Sequence, residues 1–363
     1  MLSSSLRSSS RYSLLFGLIV ASLIAACANP TPAPTPTPAG PRTLTVMTHD
    51  SFTISESVLQ GFETTHNLKV QILKSGDAGK MLNTALINKG TPLADVIYGV
   101  DNTLLSRALD NDLFEPYAAP ALAGIDSQLQ LDPQNRALPV DYGDVCLNYD
   151  KAYFAEKSLA VPATLSDLTK PEYKGLLVVE DPATSSPGLA FMLTTWSALG
   201  EAGFNQFWTD LRANQVKVAP DWETAYYNDF SGSSGKGPRP IVVSYASSPP
   251  AEVFYATSPL TQAPTASITS PQACFRQIEF VGIVKGTPNR DLAEAWVDFM
   301  LDSTFQSDMP LTMFVYPAVS AVALPEVFVK YTNLVESPVL LNSKTIADNR
   351  DSLIKKWTEI VVK

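Results

Sequence analysis

Histidine is nearly absent: His49 and His66 are the only two in 363 residues. Metal centres built from several imidazoles, and nucleophilic triads that need a histidine base, are all but excluded by count. Neither histidine lies in an H-E-x-x-H pattern, and there is no G-x-S-x-G elbow. Gly232-Ser233-Ser234-Gly235-Lys236 has the composition of a phosphate loop without its spacing, because Lys236 is followed by Gly237. Past residue 26 no apolar run reaches the length of a membrane span, roughly 18 residues, and no internal repeat is visible. Cysteine is scarce as well, with three residues, Cys27, Cys146 and Cys274.

The N-terminal segment does carry a pattern. Arg7 and Arg11 precede an uncharged apolar stretch from Leu14 to Ala26, which reads as a secretory signal too short to span a bilayer comfortably. It ends Leu23-Ile24-Ala25-Ala26-Cys27, the lipobox arrangement in which the cysteine receives diacylglycerol; the alternative is an ordinary signal with a chance cysteine. Residues 28–42, ANPTPAPTPTPAGPR, alternate proline with small residues and cannot form a helix or ladder. They are expected to be a tether reaching roughly 30 to 45 Å at about 3.1 Å per residue. The expected location is a lipid anchor on the cell membrane, facing the periplasm or the exterior. In such an oxidising setting the two remaining cysteines, Cys146 and Cys274, are expected to pair; two buried thiols are the alternative.

From Thr43 onward the chain reads as α/β. TLTVMT at 43–48 and ADVIY at 94–98 are buried strands, with Lys69–Leu73 between them, and helical stretches end near His66, cover Lys80–Asn88 and begin at Leu104. Strands alternating with helices at this spacing predict a parallel sheet flanked by helices. PVDYGDVCLNY at 139–149 and QIEFVGIVK at 277–285 are two extended runs placed to act as a hinge. That reading assigns 43–141 with 282–363 to one lobe and 142–281 to a second. Leu292, Ala295, Trp296, Phe299 and Met300 share one helical face and belong to the core. Ser231–Arg239 reads as a surface loop without structural demands.

The net charge of −10 argues against nucleic acid and weakly favours cationic ligands. Asp50, Asp77, Asp101, Asp141 and Asp181 all fall near predicted strand ends or loops, where ligands of open α/β sheets bind. A carboxylate-dependent hydrolase is one reading of them; caps, turns and contacts to a polar or cationic ligand are the other. No metal site and no cofactor is expected. Thr184-Ser185-Ser186-Pro187-Gly188 opens an apolar run, with Pro187 suited to a first helical turn. Such an end can receive an anion or simply carry a serine cap.

Seven segments in fixed order, THDSF (48–52), ADVIYGVDNTLL (94–105), PVDYGDVCLNYDK (139–151), EDPATSSPGLAFML (180–193), DWETAY (221–226), VVSYASSP (242–249) and VYPAVSAVALP (315–325), resemble the thiamine-binding periplasmic proteins of ABC importers. These belong to the type II periplasmic binding proteins. The resemblance implies a two-lobed fold, each lobe a mixed sheet flanked by helices, joined by a two-strand hinge, with the ligand in the interlobe cleft. It implies thiamine or a thiamine mono- or diphosphate as ligand, an ABC permease with its ATPase as partner, and a monomer. Carried onto this sequence, the ligand contacts are His49, Asp50, Ser51, Asp77, Asp181, Ser185, Ser186, Pro187, Gly188, Trp222, Tyr245, Ser248, Phe314 and Tyr316. Trp222 and Tyr245 fall at the stacking positions, Asp50 at a polar contact that could equally cap the next helix. Two positions depart from the pattern: His49 stands where tyrosine is usual and Phe314 where tryptophan is expected. A protonated imidazole would repel a thiazolium, so His49 is expected to be neutral. Tyr226-Tyr227 raises ferric-ion binding as an alternative, because ferric-ion relatives of this fold use adjacent tyrosines, though in a segment that aligns with Ser244-Tyr245 here. A phosphorylated small metabolite is the other alternative.

Overall fold

Parallel strands need crossovers, and the first third of the body supplies them. β1 (Arg42–Thr48), α1 (Glu56–His66), β2 (Leu68–Lys74), α2 (Ala78–Ile87), β3 (Val96–Asp101) and α3 (Leu105–Asp110) alternate, with β1 pairing parallel to both β2 and β3. Every residue of β3 is buried, as expected of a central parallel strand covered on both faces. α1 starts where the backbone amide and hydroxyl of Ser55 both donate to Asp308, at 2.8 and 2.5 Å, and stops at Asn67 in the left-handed region. The structure is a computed structural model and describes residues 40–232 and 237–363. The expected signal segment, the lipid site at Cys27 and the tether up to residue 39 lie outside the described residues. Arg42, expected to close the tether, instead opens β1 and pairs with Asp291 at 2.6 Å.

The chain continues through β4 (Phe114–Glu115), β5 (Leu138–Asp150), α4 (Lys151–Glu156), β6 (Leu177–Glu180), α5 (Ser186–Ala213), β7 (Lys217–Ala219), β8 (Ile241–Tyr245), α6 (Pro249–Phe254), β9 (Thr265–Ile268) and β10 (Phe275–Val284). It closes with α7 (Arg290–Met300), α8 (Ser303–Thr312), β11 (Tyr316–Pro317), α9 (Glu326–Tyr331) and α10 (Ser343–Val361). The sheet order is β2-β1-β3-β10-β5-β8-β6-β7. Two parallel sets, β2-β1-β3 and β8-β6-β7, are thus bridged by the antiparallel pair β10 and β5. These are the two long runs expected to form the hinge. Their register places Glu279 opposite Asp141, next to an irregularity between Glu279 and Phe280. This mixed sheet with helices is the type II periplasmic-binding-protein fold.

A disulfide joins Cys146 on β5 to Cys274 just before β10, with the Cα atoms 4.4 Å apart. On α7, Leu292, Trp296, Phe299 and Met300 are buried as their spacing predicts, while Ala295 is only partly so. Two findings depart from the sequence reading. The C-terminal stretch, expected in the first lobe, packs there through Trp296 of α7 on Phe62 of α1 at 5.0 Å and through Arg350 on the Thr103 carbonyl, but α10 also sets Trp357 edge-on to Trp208 of α5 at 5.5 Å. The ends of the 231–239 loop also carry structural demands, since Ser231 donates to Asp150 at 2.6 Å and Arg239 to the Gln215 carbonyl at 2.9 Å. Residues 233–236 lie outside the described residues. Among the described residues no helix is long and apolar enough to cross a membrane.

Candidate functional site

The strand ends of both parallel sets open onto one cavity of about 260 Å³, close to the lower end of the roughly 300–1,000 Å³ typical of small-molecule sites and much more than a bare ion needs. Past β1 come His49, Asp50 and Ser51; Lys74 ends β2 and Asp77 follows it. The opposite wall holds Ser186 and Pro187 from α5, Trp222, Tyr245 and Ser248, and Phe314 follows α8. The structure therefore brings ten of the fourteen expected contacts to one cavity.

Four expected contacts lie elsewhere. Asp181 turns its carboxylate back onto the Ala183 amide at 2.9 Å. Ser185 is buried as the cap of α5, its hydroxyl accepting from Gly188. Gly188 is a packing position: a Cβ there would meet the Glu180 carbonyl at 2.6 Å. Tyr316 lies flat on Tyr142, ring centres 5.1 Å apart, with the Arg276 guanidinium 4.8 Å over Tyr142. For Asp181, Ser185 and Tyr316 a protein partner occupies the polar or aromatic group that sequence reasoning had aimed at a ligand, and at Gly188 close packing takes the place of a contact.

The aromatic wall is rigidly backed. Trp222 stacks on Tyr226 at 4.9 Å and 17°, and its indole N–H donates to Ser244 Oγ at 3.0 Å. Tyr245 meets it edge-on at 6.4 Å, and its hydroxyl donates to Gln277 Oε1 at 2.6 Å. Gln277 in turn donates to Ser186 at 2.8 Å and to Asp101. Phe314 packs against Phe254 and Tyr255 of the α6 end, at 6.0 and 5.7 Å, with its backbone at φ 54. A left-handed phenylalanine is strained, and such strain concentrates at functional sites. Tyr227 and Tyr255 complete the aromatic rim.

The expected acids behave differently from one another. Asp50 does not cap α1, where Ser55 has that place; its carboxylate accepts from Gly76 N at 2.7 Å and ties the two post-strand loops together. Asp77 caps α2 through Ala78 N at 2.6 Å and also accepts from Trp222 N at 3.1 Å and Ser186 N at 3.4 Å. The N-terminal end of α5, read as either an anion site or a serine cap, carries the Ser185 cap and faces the Asp77 carboxylate. Burial raises Asp77, and the hydrogen bonds from Ser185 and the amides oppose that rise.

Beneath the wall lies Glu279, which sequence reasoning missed, beside Asp141, which it singled out. Glu279 of β10 lines the cavity, and Asp141 of β5 lies behind it. Tyr98 OH donates to Asp141 Oδ2 at 2.6 Å and lies 3.3 Å from Glu279 Oε2. Burial, reinforced by the neighbouring acids, holds Glu279 well above the carboxylate range; burial alone raises Asp141 to about 7 and Asp101 to about 6. His49 sits 3.5 Å from Glu279 through Nε2, with Nδ1 2.9 Å from Ser51 Oγ. Burial first, then Lys74, lower His49 to about 4. The contact joins two groups that burial turns against their charged forms, His49 lowered and Glu279 raised. Gly99 makes room for that ring: at φ +100, a Cβ there would lie 2.3 Å from His49 Cδ2. The signal for Glu279 was present, since an acid inside the otherwise apolar run QIEFVGIVK is costly unless used. Glu223 and Lys74 also line the cavity without having been anticipated. Among the described residues no group of three or more His, Cys, Asp or Glu side chains is placed to hold a metal.

The model of the bacterial extracellular solute-binding protein family matches residues 91–332. The thiamine-binding periplasmic protein of Salmonella typhimurium is 28% identical over 328 residues, covering 88% of this chain and 93% of that protein. That of Brucella suis is 29% identical, covering 87% and 91%. Among solved structures, a periplasmic thiamin-binding protein superposes with a TM-score of 0.77 at 25% identity, over 88% of this chain and 96% of that one. A fructose-6-phosphate-bound periplasmic protein of Actinobacillus pleuropneumoniae shares the fold, with a TM-score of 0.76 at 19% identity over 89% and 99%. The cavity belongs to a solute binder, and the chain is a member of the bacterial extracellular solute-binding protein family.

Proposed function

We propose that this protein captures thiamine, or a thiamine mono- or diphosphate, in the cavity between Trp222 and Glu279 and delivers it to an ABC permease. The observation that carries this reading is the juxtaposition of an aromatic wall with an acidic one. Trp222 and Tyr245 offer faces to a flat ring, and Asp50, Asp77, Glu223 and Glu279 outnumber the single wall cation, Lys74. A flat heteroaromatic cation satisfies both walls. No bond is broken in this reading. The curated relatives named above support the ligand, and the neutral His49 removes the repulsion that a thiazolium would otherwise meet.

Free thiamine suits the α5 end better than its phosphates, because a phosphate there would face Asp77, which already accepts from Ser186 N and Trp222 N. Ferric ion fits less well. Tyr226 is buried with its hydroxyl donated to Glu252 at 2.6 Å and held well above its usual range, and burial raises Tyr227 to about 12. Two phenolates would have to form against that preference.

In the same reading, residues 43–141 with 282–363 form one lobe and 142–281 the other, and the two close on each other about β5 and β10. A lipid on Cys27 keeps the monomer near its permease at high effective concentration. Calorimetric titration with thiamine, both phosphates and ferric ion tests the ligand: tight ferric binding with no heat from thiamine overturns it. Mass spectrometry of thiamine recovered after long incubation tests the absence of chemistry, and a converted product would count against transport.

A further inference from the structure

Cross-strand carboxylates are rare in a buried sheet, because like charges directly opposite destabilise it. Glu279 and Asp141 are such a pair, 7% and 0% exposed. They stand on the two strands that bridge the parallel sets, and only Glu279 reaches the cavity. We propose that Glu279, backed by Asp141, is the charge-selecting residue of the cavity: the pair holds one shared proton when the site is empty and loses it to bulk solvent when a flat organic cation settles against Glu279.

The groups facing Glu279 come from every element around it. β3 contributes Tyr98 and Asp101, β5 Asp141, β8 Tyr245, and the turn after β1 His49. The acids repel a charge on Glu279, the tyrosines are held in their neutral forms, and His49 is neutral above about pH 4. Lys74, the cation of the cavity lining, acts on His49 but is not among the groups that shift Glu279, so the empty site favours a proton as the counter-charge there. An arriving cation supplies that charge instead, and the proton becomes dispensable.

A second observation points to a ligand at the same place. His49 is 6% exposed and lines the cavity, yet its Nε2 has no hydrogen-bond partner among the described residues. A buried ring nitrogen left unpaired is costly. Its neighbour across 3.5 Å is Glu279 Oε1. The two together offer a ring edge bearing an amino group one acceptor on each side, Glu279 once ionised and His49 Nε2 in the tautomer whose Nδ1–H donates to Ser51 Oγ. This deepens the proposed capture of a thiamine-like cation and rests on it.

Calorimetry of thiamine binding to the full-length protein at pH 7, in phosphate and in Tris, counts the protons. The expected result is an enthalpy that differs between the buffers by the equivalent of about one proton released, with affinity tightening up to about tenfold per pH unit from about pH 5 to 7. E279Q is expected to abolish the buffer dependence and weaken binding about tenfold or more. D141N, which leaves the cavity wall intact, is expected to reduce the proton count while thiamine still binds. Infrared spectroscopy adds a readout that needs no affinity: the empty wild type shows a protonated carboxyl band that thiamine removes and D141N alters. Bound thiamine with buffer-independent heat, or an unchanged carboxyl band, overturns the shared proton alone. No heat with thiamine in any buffer defeats the ligand reading, and the release step with it.

Discussion

The two faces of the cavity are built on opposite principles. The aromatic wall of Trp222, Tyr226 and Tyr245 is satisfied before any ligand arrives: rings stack, and the Trp222 indole and the Tyr245 and Tyr226 hydroxyls each have a partner at 2.6 to 3.0 Å. The acid floor of Glu279, Asp141 and His49 is not. His49 Nε2 and Asp141 Oδ1 lack hydrogen-bond donors among the described residues, and burial raises both carboxyls above the usual carboxylate range. A preorganised wall can give affinity for any flat ring of the right size, since nothing has to be reordered. An unsatisfied floor gives discrimination, because only a ligand that completes it removes the desolvation cost.

The comparison breaks most visibly through pH. Asp141 and Asp101 have folded values of about 7 and about 6 against 3.8 for the free group. The stability they contribute is fully present below pH 3.8 and lost as pH rises through those values. Carboxylates such as Asp167, lowered to about 2 by Lys170 and the Thr164 amide, act in the opposite sense. The difference between variants therefore isolates the floor: in chemical denaturation between pH 4 and 8, D141N is expected to flatten the curve by a few kcal/mol relative to wild type. Parallel curves would mean that the floor is ionised throughout.

Next in size is the wall itself. W222A removes a stacking face worth about 1–3 kcal/mol, so thiamine affinity is expected to fall by roughly ten- to a hundredfold in fluorescence titration, with the buffer-dependent proton count retained. Loss of that count would show that wall and floor are one unit. The smallest effect is expected from Y245F. It deletes a single hydrogen bond to Gln277 worth about 1 kcal/mol, predicting a severalfold loss of affinity, and full retention would mean that the Gln277 link does not position the ring.

Much of the first face was legible along the chain. The strand ends, the helix opening at Ser186 and the placement of Trp222 and Tyr245 follow from local patterns and ordered motifs, because such features repeat wherever a backbone turns in the same way. Asp50 and Asp77 were legible as acids at strand ends, but not in their roles, since the amides of Gly76, Ser186 and Trp222 that claim them arrive from distant segments. Asp181, Gly188 and Tyr316 were assigned to the ligand for the same reason: sequence displays a side chain without its nearest competitor.

Local chemistry along the chain was enough to set the alternation of strand and helix, the scarcity of imidazole that rules against His-based catalysis, and the extended runs around Cys146 and Glu279. Tertiary structure alone decided that β5 and β10 lie side by side in a register that sets Glu279 against Asp141. It also carried α10 across to Trp208 and set the His49 ring against Gly99. Propensity and periodicity act over a few residues, whereas the ionisation of a buried acid depends on charges and desolvation contributed by strands more than a hundred residues apart.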